Sequence, residues 1–275
     1  MPYSHFIKPG QKVRLGEISP DAPKELTKEA GLLELERHGK RLSELQERLF
    51  AAGTQGLLIV LQGRDTSGKD GAIRRLSGFL NVQSTRVVPF KAPSPVELDH
   101  DFLWRVHGHT PGKGEIAIFN RSHYEDVLAV RVHNLVPKHV WKRRYDHINA
   151  FESLLTDSDT IVLKFYLHIT RDEQEERLLA READPDKAWK LSLGDWKERE
   201  LWDDYTDAFE AALSKCSPET APWHVVPANK KWFRDLAIAE ALVKALEPNE
   251  KQWEAALKVR GEAELAALRT FRAEG

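Results

Sequence analysis

Cysteine is almost absent from the sequence, and the motifs of several enzyme classes are missing as well. Cys216 is the single cysteine among 275 residues, so an internal disulfide and a thiolate metal cluster are both excluded. There is no HExxH motif or cluster of Cys and His that would indicate a zinc site, and no GxSxG motif that would indicate acyl transfer. The chemistry must therefore depend on other residue types.

Long hydrophobic runs and a strong excess of charge are also lacking. No apolar stretch approaches the length of a membrane span, and the N-terminal MPYSHFIKPGQK lacks the apolar core of a signal peptide. These features predict a cytoplasmic protein that binds no membrane. The formal net charge of −2 argues against nucleic-acid binding, so a polyanionic ligand would need a local concentration of Lys and Arg.

The most informative stretch that is present is GLLIVLQGRDTSGKDGAIRRLSGFL, residues 56–80. Its apolar run predicts a strand at 57–62, and Ile73, Leu76 and Phe79 then recur at helical spacing. The polar loop between them fits GxxxxGK, which in this context predicts a phosphate-binding P-loop (Walker A), although the motif could also arise by chance in a turn. The expected phosphate- or nucleotide-binding residues of the loop are Gly63, Arg64, Thr66, Ser67, Gly68, Lys69 and Asp70.

Two carboxylates make this loop unusual. Asp70 occupies the position at which P-loop enzymes have a Ser or Thr that helps to hold Mg²⁺, and Asp65 lies within the loop itself. A carboxylate next to a polyphosphate is repelled unless a cation lies between them. We therefore predict that Asp65 helps to hold Mg²⁺, which prefers oxygen ligands.

The alternation of strand and helix patterns predicts an α/β protein of one domain with a mainly parallel, five-stranded sheet and helices on both faces. The predicted strands are 57–62, 86–90, 115–120, 160–169 and 223–227. The predicted helices after the P-loop helix run from about 95 to 109, 136 to 157, 170 to 182, 198 to 215 and 230 to 246. The single domain, 1–275, would comprise an N-terminal arm (1–22), an N-terminal helix (23–53), a core (54–248) with a lid at about 181–198, and a C-terminal helix (249–275).

Ligands of such sheets bind outside the carboxyl ends of the strands, where further candidate residues are found. Lys91 follows the second predicted strand, and Asn120 and Arg121 end the third. Arg121 fits a role on phosphate oxygens, or alternatively an ion pair with a nearby Asp. Asn120 is a poor metal ligand, so Asp126 is the favoured second carboxylate with Glu125 beside it; the pair could instead lie on a solvated helix face.

A cationic segment, 177–197, follows the fourth predicted strand and includes Arg181, Lys187 and Lys190. Such a flap could neutralise developing charge and exclude water during phosphoryl transfer. Acidic residues are interleaved with the basic ones, so a charged surface loop is the alternative interpretation.

Four motifs together resemble the polyphosphate kinase 2 family: GRDTSGKDG (63–71), KAPSP (91–95), FNRSHYEDVL (119–128) and APWHVVPANKKWFR (221–234). The resemblance covers roughly 32–246. Asn120 with Glu125 and Asp126 is most similar to the branch that phosphorylates both nucleoside monophosphates and diphosphates.

The resemblance implies a three-layer P-loop kinase fold, similar to thymidylate kinase, with a helical lid. It implies a reversible, Mg²⁺-dependent transfer of a phosphoryl group from inorganic polyphosphate to ADP or AMP, giving ATP or ADP without a phosphorylated enzyme. Asp65 and Asp126 match acidic positions for metal and acceptor phosphate, Lys69 and Arg121 match phosphate-binding positions, and Arg181, Lys187 and Lys190 match the basic lid by region. Asn120 departs from the Asp of other branches.

We also expect that Mn²⁺ could replace Mg²⁺ and that the chain forms a homo-oligomer, a dimer or tetramer. Two rival interpretations stay open. One is an ATP-dependent nucleoside monophosphate kinase with the same fold. The other is a non-catalytic polyphosphate- or nucleic-acid-binding module that uses the basic stretch 142–144 and the lid.

Overall fold

The protein is described by a computed structural model that covers residues 2–186 and 192–274. Within these residues, one sheet contains β1 (His5–Phe6), β2 (Gly56–Gly63), β3 (Thr85–Pro89), β4 (Ile116–Asn120), β5 (Thr160–His168) and β6 (Trp223–Pro227). Their spatial order is β1-β6-β5-β2-β4-β3, which places β2 inside the sheet between β5 and β4. The α/β class is confirmed, and β2 to β6 are the five predicted parallel strands.

The prediction of five strands was wrong by one, because the sheet has a sixth, antiparallel strand. His5 pairs with Val225 and Phe6 with His224, so β1 covers the outer edge of β6. A strand of two residues is too short to display the alternation by which strands are recognised, so the sequence predicts only an N-terminal arm there.

Eleven α-helices connect or flank the strands in the described part of the chain. They are α1 (Lys28–Ala52), α2 (Lys69–Ser77), α3 (Pro95–Leu98), α4 (Trp104–His107), α5 (Ala129–Val132), α6 (Lys138–Asp157), α7 (Arg171–Glu182), α8 (Leu193–Glu200), α9 (Trp202–Lys215), α10 (Lys231–Leu246) and α11 (Glu250–Glu274). A 3-10 turn, His123–Asp126, follows β4.

Local side-chain hydrogen bonds explain where the helices differ from prediction. The first begins at Lys28 instead of 23, because the Thr27 hydroxyl caps it by accepting from the Ala30 amide. The predicted helix 95–109 is two single turns, since the Asp101 carboxylate accepts from the Leu103 amide and competes with helical bonding. The predicted helix 198–215 is two helices, α8 and α9, and α8 begins within the predicted lid, where the Ser192 hydroxyl caps it by accepting from the Gly194 amide.

Alternation along β2 produces the three layers. Leu57, Ile59 and Leu61 face one side of the sheet and pack in the cluster with α1, α2, α10 and α11. Leu58 and Val60 face the other side and pack in the cluster with α6 and α9. All five side chains have no exposed surface. Since both faces are covered, the carboxyl ends of the parallel strands are left as the place for a ligand.

None of the described helices combines the length and the apolar character that are needed to cross a bilayer.

Candidate active site

The P-loop leaves the sheet at the end of β2 and ends in α2. Gly68 caps that helix in the left-handed conformation, with φ of 100°, and Thr66 is also left-handed, with φ of 60°. A Cβ on Gly68 would lie 2.0 Å from Arg234 Nη1, so glycine is required here for space as well as for conformation. The loop thus forms where a helix N-terminus and its free amides can receive an anion.

A cleft of about 700 Å³ opens over this loop. Its lining includes three carboxylates, Asp65, Asp70 and Asp195. Against these stand eight cationic side chains: Lys69, Arg74, Lys91, Arg121, Arg177, Arg181, Lys231 and Arg234. The local concentration of positive charge that a polyanion requires is therefore present in a chain whose net charge is slightly negative.

Lys69 is buried beneath the loop. Its ammonium donates to the carbonyls of Gly63 (2.8 Å) and Arg64 (3.1 Å). Burial, assisted by the nearby Arg121 charge, lowers the pKa of Lys69 to about 8. A bound phosphate would stabilise the charged ammonium and raise that pKa again.

Asp65 and Arg121 form an ion pair in the lining of the cleft. Arg121 Nη2 lies 2.5 Å from Asp65 Oδ1, and Arg121 Nη1 lies 3.4 Å from Glu125 Oε2. Arg121 has a left-handed φ of 61°, which a non-glycine residue adopts only where its surroundings hold it. The ion pair that the sequence left as an alternative for Arg121 exists, and it leaves the side chain in the cleft lining where phosphate could also reach it.

Asn120, at the end of β4, faces the P-loop helix. Its amide donates to Asp70 Oδ1 at 2.9 Å, and both side chains line the cleft. The two residues that depart from the usual P-loop pattern therefore contact each other. Asn120 orients the Asp70 carboxylate without adding a charge.

The two candidate carboxylates that follow β4 point in different directions. Glu125 pairs with Arg121 and lines a small cavity behind the loop. Asp126 lies 2.7 Å from Arg144 Nη1 and is not among the residues that line the cleft or this cavity. Burial raises the pKa of Asp126 to about 6, although Arg144 and Arg105 oppose the shift.

Arg64 does not line the cleft, although Asp65 and Thr66 in the same loop do. Its guanidinium lies 3.6 Å from the centre of the Trp202 ring and donates to the Trp202 carbonyl (2.8 Å) and the Thr206 hydroxyl (2.5 Å). Arg64 therefore attaches the P-loop to α9. A position in the loop sequence does not by itself place a side chain on the ligand.

Of the three basic residues predicted for the lid, the structure describes one, Arg181. Arg181 lines the cleft and forms an ion pair with Asp195 at 2.7 Å. Lys187 and Lys190 lie outside the residues that the structure describes. Gly63 and Ser67 are buried at the base of the loop, and the Ser67 hydroxyl has no hydrogen-bond partner among the described residues.

Sequence reasoning assigned no role to Arg74, Lys231 or Arg234, all of which line the cleft. Arg234 is buried and pairs with Asp235 at 2.6 Å. Arg74 lies on α2, four residues after Asp70, and could have been found from helical spacing. Lys231 and Arg234 belong to the PANKKWFR motif, whose sequence carried the resemblance but gave no individual roles.

A buried polar network supports the turn that carries Glu125 and Asp126. Lys164 on β5 and Glu152 on α6 are 2.5 Å apart, and neither side chain is exposed. The Tyr124 hydroxyl donates to Glu152 (2.8 Å), and His123 Nε2 lies 3.3 Å from the same carboxylate. Two residues of the turn after β4 are thereby fixed to the sheet and to α6.

Lys164→Met is expected to destabilise the protein by about 3–5 kcal/mol, because it leaves the Glu152 charge buried without its partner. Lys113→Met is the matched control, since it breaks the half-exposed pair with Asp159 and should cost under about 1 kcal/mol. Urea unfolding of both variants measures the difference. Equal losses would mean that the buried pair contributes no more than a surface pair.

Comparisons with known proteins agree with this geometry. Residues 25–254 match the family model described as Polyphosphate kinase 2. The chain is 48% identical, over 88% of its length and 91% of the relative, to the AMP/ADP-polyphosphate phosphotransferase of Meiothermus ruber. It is 43% identical, over 76% of each chain, to the ADP-polyphosphate phosphotransferase of Rhodopseudomonas palustris.

A solved structure of a polyphosphate kinase 2 is also similar to this chain. The crystal structure of polyphosphate kinase 2 from Arthrobacter aurescens TC1 superimposes with a TM-score of 0.84 at 42% identity, covering 90% of this chain and 92% of that one. The family resemblance and the P-loop kinase fold expected from the sequence are thus confirmed, and the chain belongs to the polyphosphate kinase 2 family.

Proposed function

We propose that the chain transfers a phosphoryl group from inorganic polyphosphate to AMP and to ADP, forming ADP and ATP in a reversible reaction. The observation that carries this proposal is the cleft over the P-loop, with eight cationic side chains against three carboxylates. This excess of positive charge fits a site that receives a nucleotide and a second phosphate chain together. The names of the relatives from Meiothermus ruber and Rhodopseudomonas palustris point to the same substrates.

Kinases of this kind generally depend on a divalent metal ion, and we propose Mg²⁺, with Mn²⁺ as a substitute. No group of three or more metal-binding side chains occurs among residues 2–186 and 192–274. This donor set fits Mg²⁺, which usually takes one or two carboxylates and completes its coordination with substrate phosphates and water. Asp65 is the proposed carboxylate ligand, with Glu125 or Asp126 as the second, and the ion would neutralise charge on the reacting phosphates. Asp126 would have to leave Arg144 and turn toward the cleft to take this role, because it does not line the cleft in this structure.

The protein's own contribution is positioning and charge neutralisation. The P-loop amides and Lys69 would hold one phosphate chain, and Arg121 would contact the phosphoryl group between donor and acceptor. Lys91 and Arg181 would bind neighbouring phosphates, and the lid would exclude water as a competing acceptor. The acceptor is already a phosphate oxyanion, so no general base is needed.

Activity is expected to depend on pH through two groups. Protonation of Asp126 below about pH 6 should lower kcat/KM, and deprotonation of Lys69 above about pH 8 should lower it again. The folded-state pKa of Lys69 is depressed, so the folded state binds fewer protons than the unfolded state between about pH 8 and 10.5. Stability from this group therefore rises with pH, and the alkaline loss of activity should not reflect unfolding.

Steady-state kinetics over this pH range check the expectation. Bound phosphate should raise the pKa of Lys69, so kcat should remain high at a pH where kcat/KM has already fallen. Asp126→Asn removes the group to which we assign the loss of kcat/KM at low pH. Any loss at low pH that remains in this variant comes from other groups, such as the nucleotide phosphates. A kcat/KM that stays flat above pH 8 would contradict the role given to Lys69.

An acceptor screen tests the proposed substrates. Purified protein with Mg²⁺ and long-chain polyphosphate should convert AMP to ADP and ADP to ATP. Formation of two ADP from ATP and AMP, with no product from polyphosphate, would instead identify an ATP-dependent nucleoside monophosphate kinase. Polyphosphate binding that persists in EDTA, with no turnover on any donor, would indicate a binding module.

A further inference from the structure

Arg177, on α7, uses its whole guanidinium group on the protein itself. Nη1 donates to the carbonyls of Thr66 (2.9 Å) and Ser67 (3.1 Å) in the P-loop. Nη2 donates to the carbonyls of Ala228 (2.7 Å) and Asn229 (3.0 Å) in the loop after β6. Nε donates to Glu173 at 2.8 Å. A guanidinium has five N–H donors, and these five bonds use all of them.

The bonds to the P-loop fix the direction of its peptide groups. In a planar trans peptide the C=O and N–H point to opposite sides, so a fixed Ser67 carbonyl also fixes the Gly68 amide. Thr66 is a β-branched residue in the left-handed region, a conformation that persists only where contacts hold it. The Arg177 bond to the Thr66 carbonyl is such a contact.

The bonds to the loop after β6 fix a second wall of the same cleft. That loop leads directly into α10, whose first turn carries Lys231 and Arg234. Both side chains line the cleft, and Arg234 Nη1 is so close to Gly68 that a Cβ there would overlap with it. One guanidinium therefore sets the distance between the P-loop and the cationic wall opposite it.

We propose that Arg177 is a positioning residue that holds the P-loop and the start of α10 in the geometry that receives phosphate. It lines the cleft, but it acts through the loops and not by contact with substrate, because it has no donor left to offer. The proposal rests on the proposed function in one respect only, that phosphoryl transfer serves as the activity readout.

Two substitutions separate positioning from charge. Arg177→Lys keeps the charge, but a single ammonium cannot bridge four carbonyls in two loops. Arg177→Gln removes the charge as well. Both variants are expected to lower kcat at least tenfold, and by similar factors. The matched control is Arg131→Lys, which alters a partly buried arginine bonded to the Asp207 carbonyl away from the cleft and should keep wild-type kcat.

Hydrogen–deuterium exchange of the protein without substrate gives a second readout, which does not depend on activity. Peptides covering 63–72 and 226–234 should exchange faster in both Arg177 variants, whereas peptides from α6 should not change. Glu173→Ala, which removes the carboxylate beside Nε, should produce a smaller effect in the same direction. If Arg177→Lys fails to fold, Glu173→Ala provides the test instead. Faster exchange confined to the two loops supports the positioning role of Arg177, and unchanged exchange contradicts it.

Three results would overturn the proposal. Wild-type kcat in Arg177→Lys with loss in Arg177→Gln would make Arg177 a simple charge for substrate. Loss of activity with unchanged exchange in both loops would make it a direct substrate contact. Faster exchange throughout the protein would make it a general stabilising residue. If the wild type fails to use polyphosphate, the proposed function fails, but the exchange comparison still decides the role of Arg177.

Discussion

Asp65→Asn is expected to lower kcat by about 10²-fold or more while the fold stays intact, because it removes the carboxylate proposed to hold the metal ion against the reacting phosphates. Asparagine has nearly the same shape and can still accept a hydrogen bond from Arg121, which now lies 2.5 Å from the Asp65 carboxylate. The loss should therefore appear in turnover and not in stability. Steady-state kinetics and thermal unfolding of the same preparation measure both.

The control for this variant is Asp159→Asn. Asp159 also forms an ion pair, with Lys113 at 2.9 Å, but it directly precedes β5, at the end of the sheet opposite the P-loop. That variant should keep wild-type kcat. Wild-type kcat in Asp65→Asn would remove Asp65 from the metal site.

Lys69→Met is expected to reduce kcat/KM for polyphosphate by about 10²–10³-fold, since it removes the charge that meets the phosphate at the base of the loop. Methionine is similar in length and apolar, so it can occupy the buried position from which Lys69 donates to the carbonyls of Gly63 and Arg64. The free energy of unfolding should fall by no more than about 1–3 kcal/mol, because the variant leaves the two carbonyls without their donor but also removes the cost of burying a charge.

Lys113→Met is the matched control here, and it should leave kcat/KM unchanged. Kinetics at a fixed pH near 7, where Lys69 of the free enzyme is mostly charged, give the comparison. A loss below about tenfold in Lys69→Met would mean that the loop amides and the arginines bind the phosphates without it.

The sequence predicted the position of the site better than the orientation of its side chains. Local spacing predicts the strand, the glycine loop and the helix around Lys69, and the rule for parallel sheets brings together loops whose residues line one cleft. Local spacing could not indicate that Arg64 turns away toward Trp202, because Trp202 is 138 residues further along the chain. The direction of the Arg64 side chain depends on its contact with Trp202, which forms only when the chain has folded.

The same limit applies to the residues on which the further inference depends. Arg177 and the Thr66 carbonyl are 111 residues apart, and Arg234 meets Gly68 across the cleft. The sequence showed Arg177 only as one cation in a mixed charged segment, where a solvated surface loop was an equal interpretation. Asp126 was the favoured second carboxylate, and its pair with Arg144 on α6 was not visible from the sequence.

The measurement that tests the central claim most directly follows both substrates in one reaction. The protein is incubated with Mg²⁺, ADP and long-chain polyphosphate without any other phosphoryl donor, and ³¹P NMR records ATP and polyphosphate together. The account predicts that each ATP formed corresponds to one phosphate residue lost from polyphosphate, with little inorganic phosphate released. ATP that appears equally without polyphosphate, or polyphosphate that is hydrolysed without ATP, would contradict it.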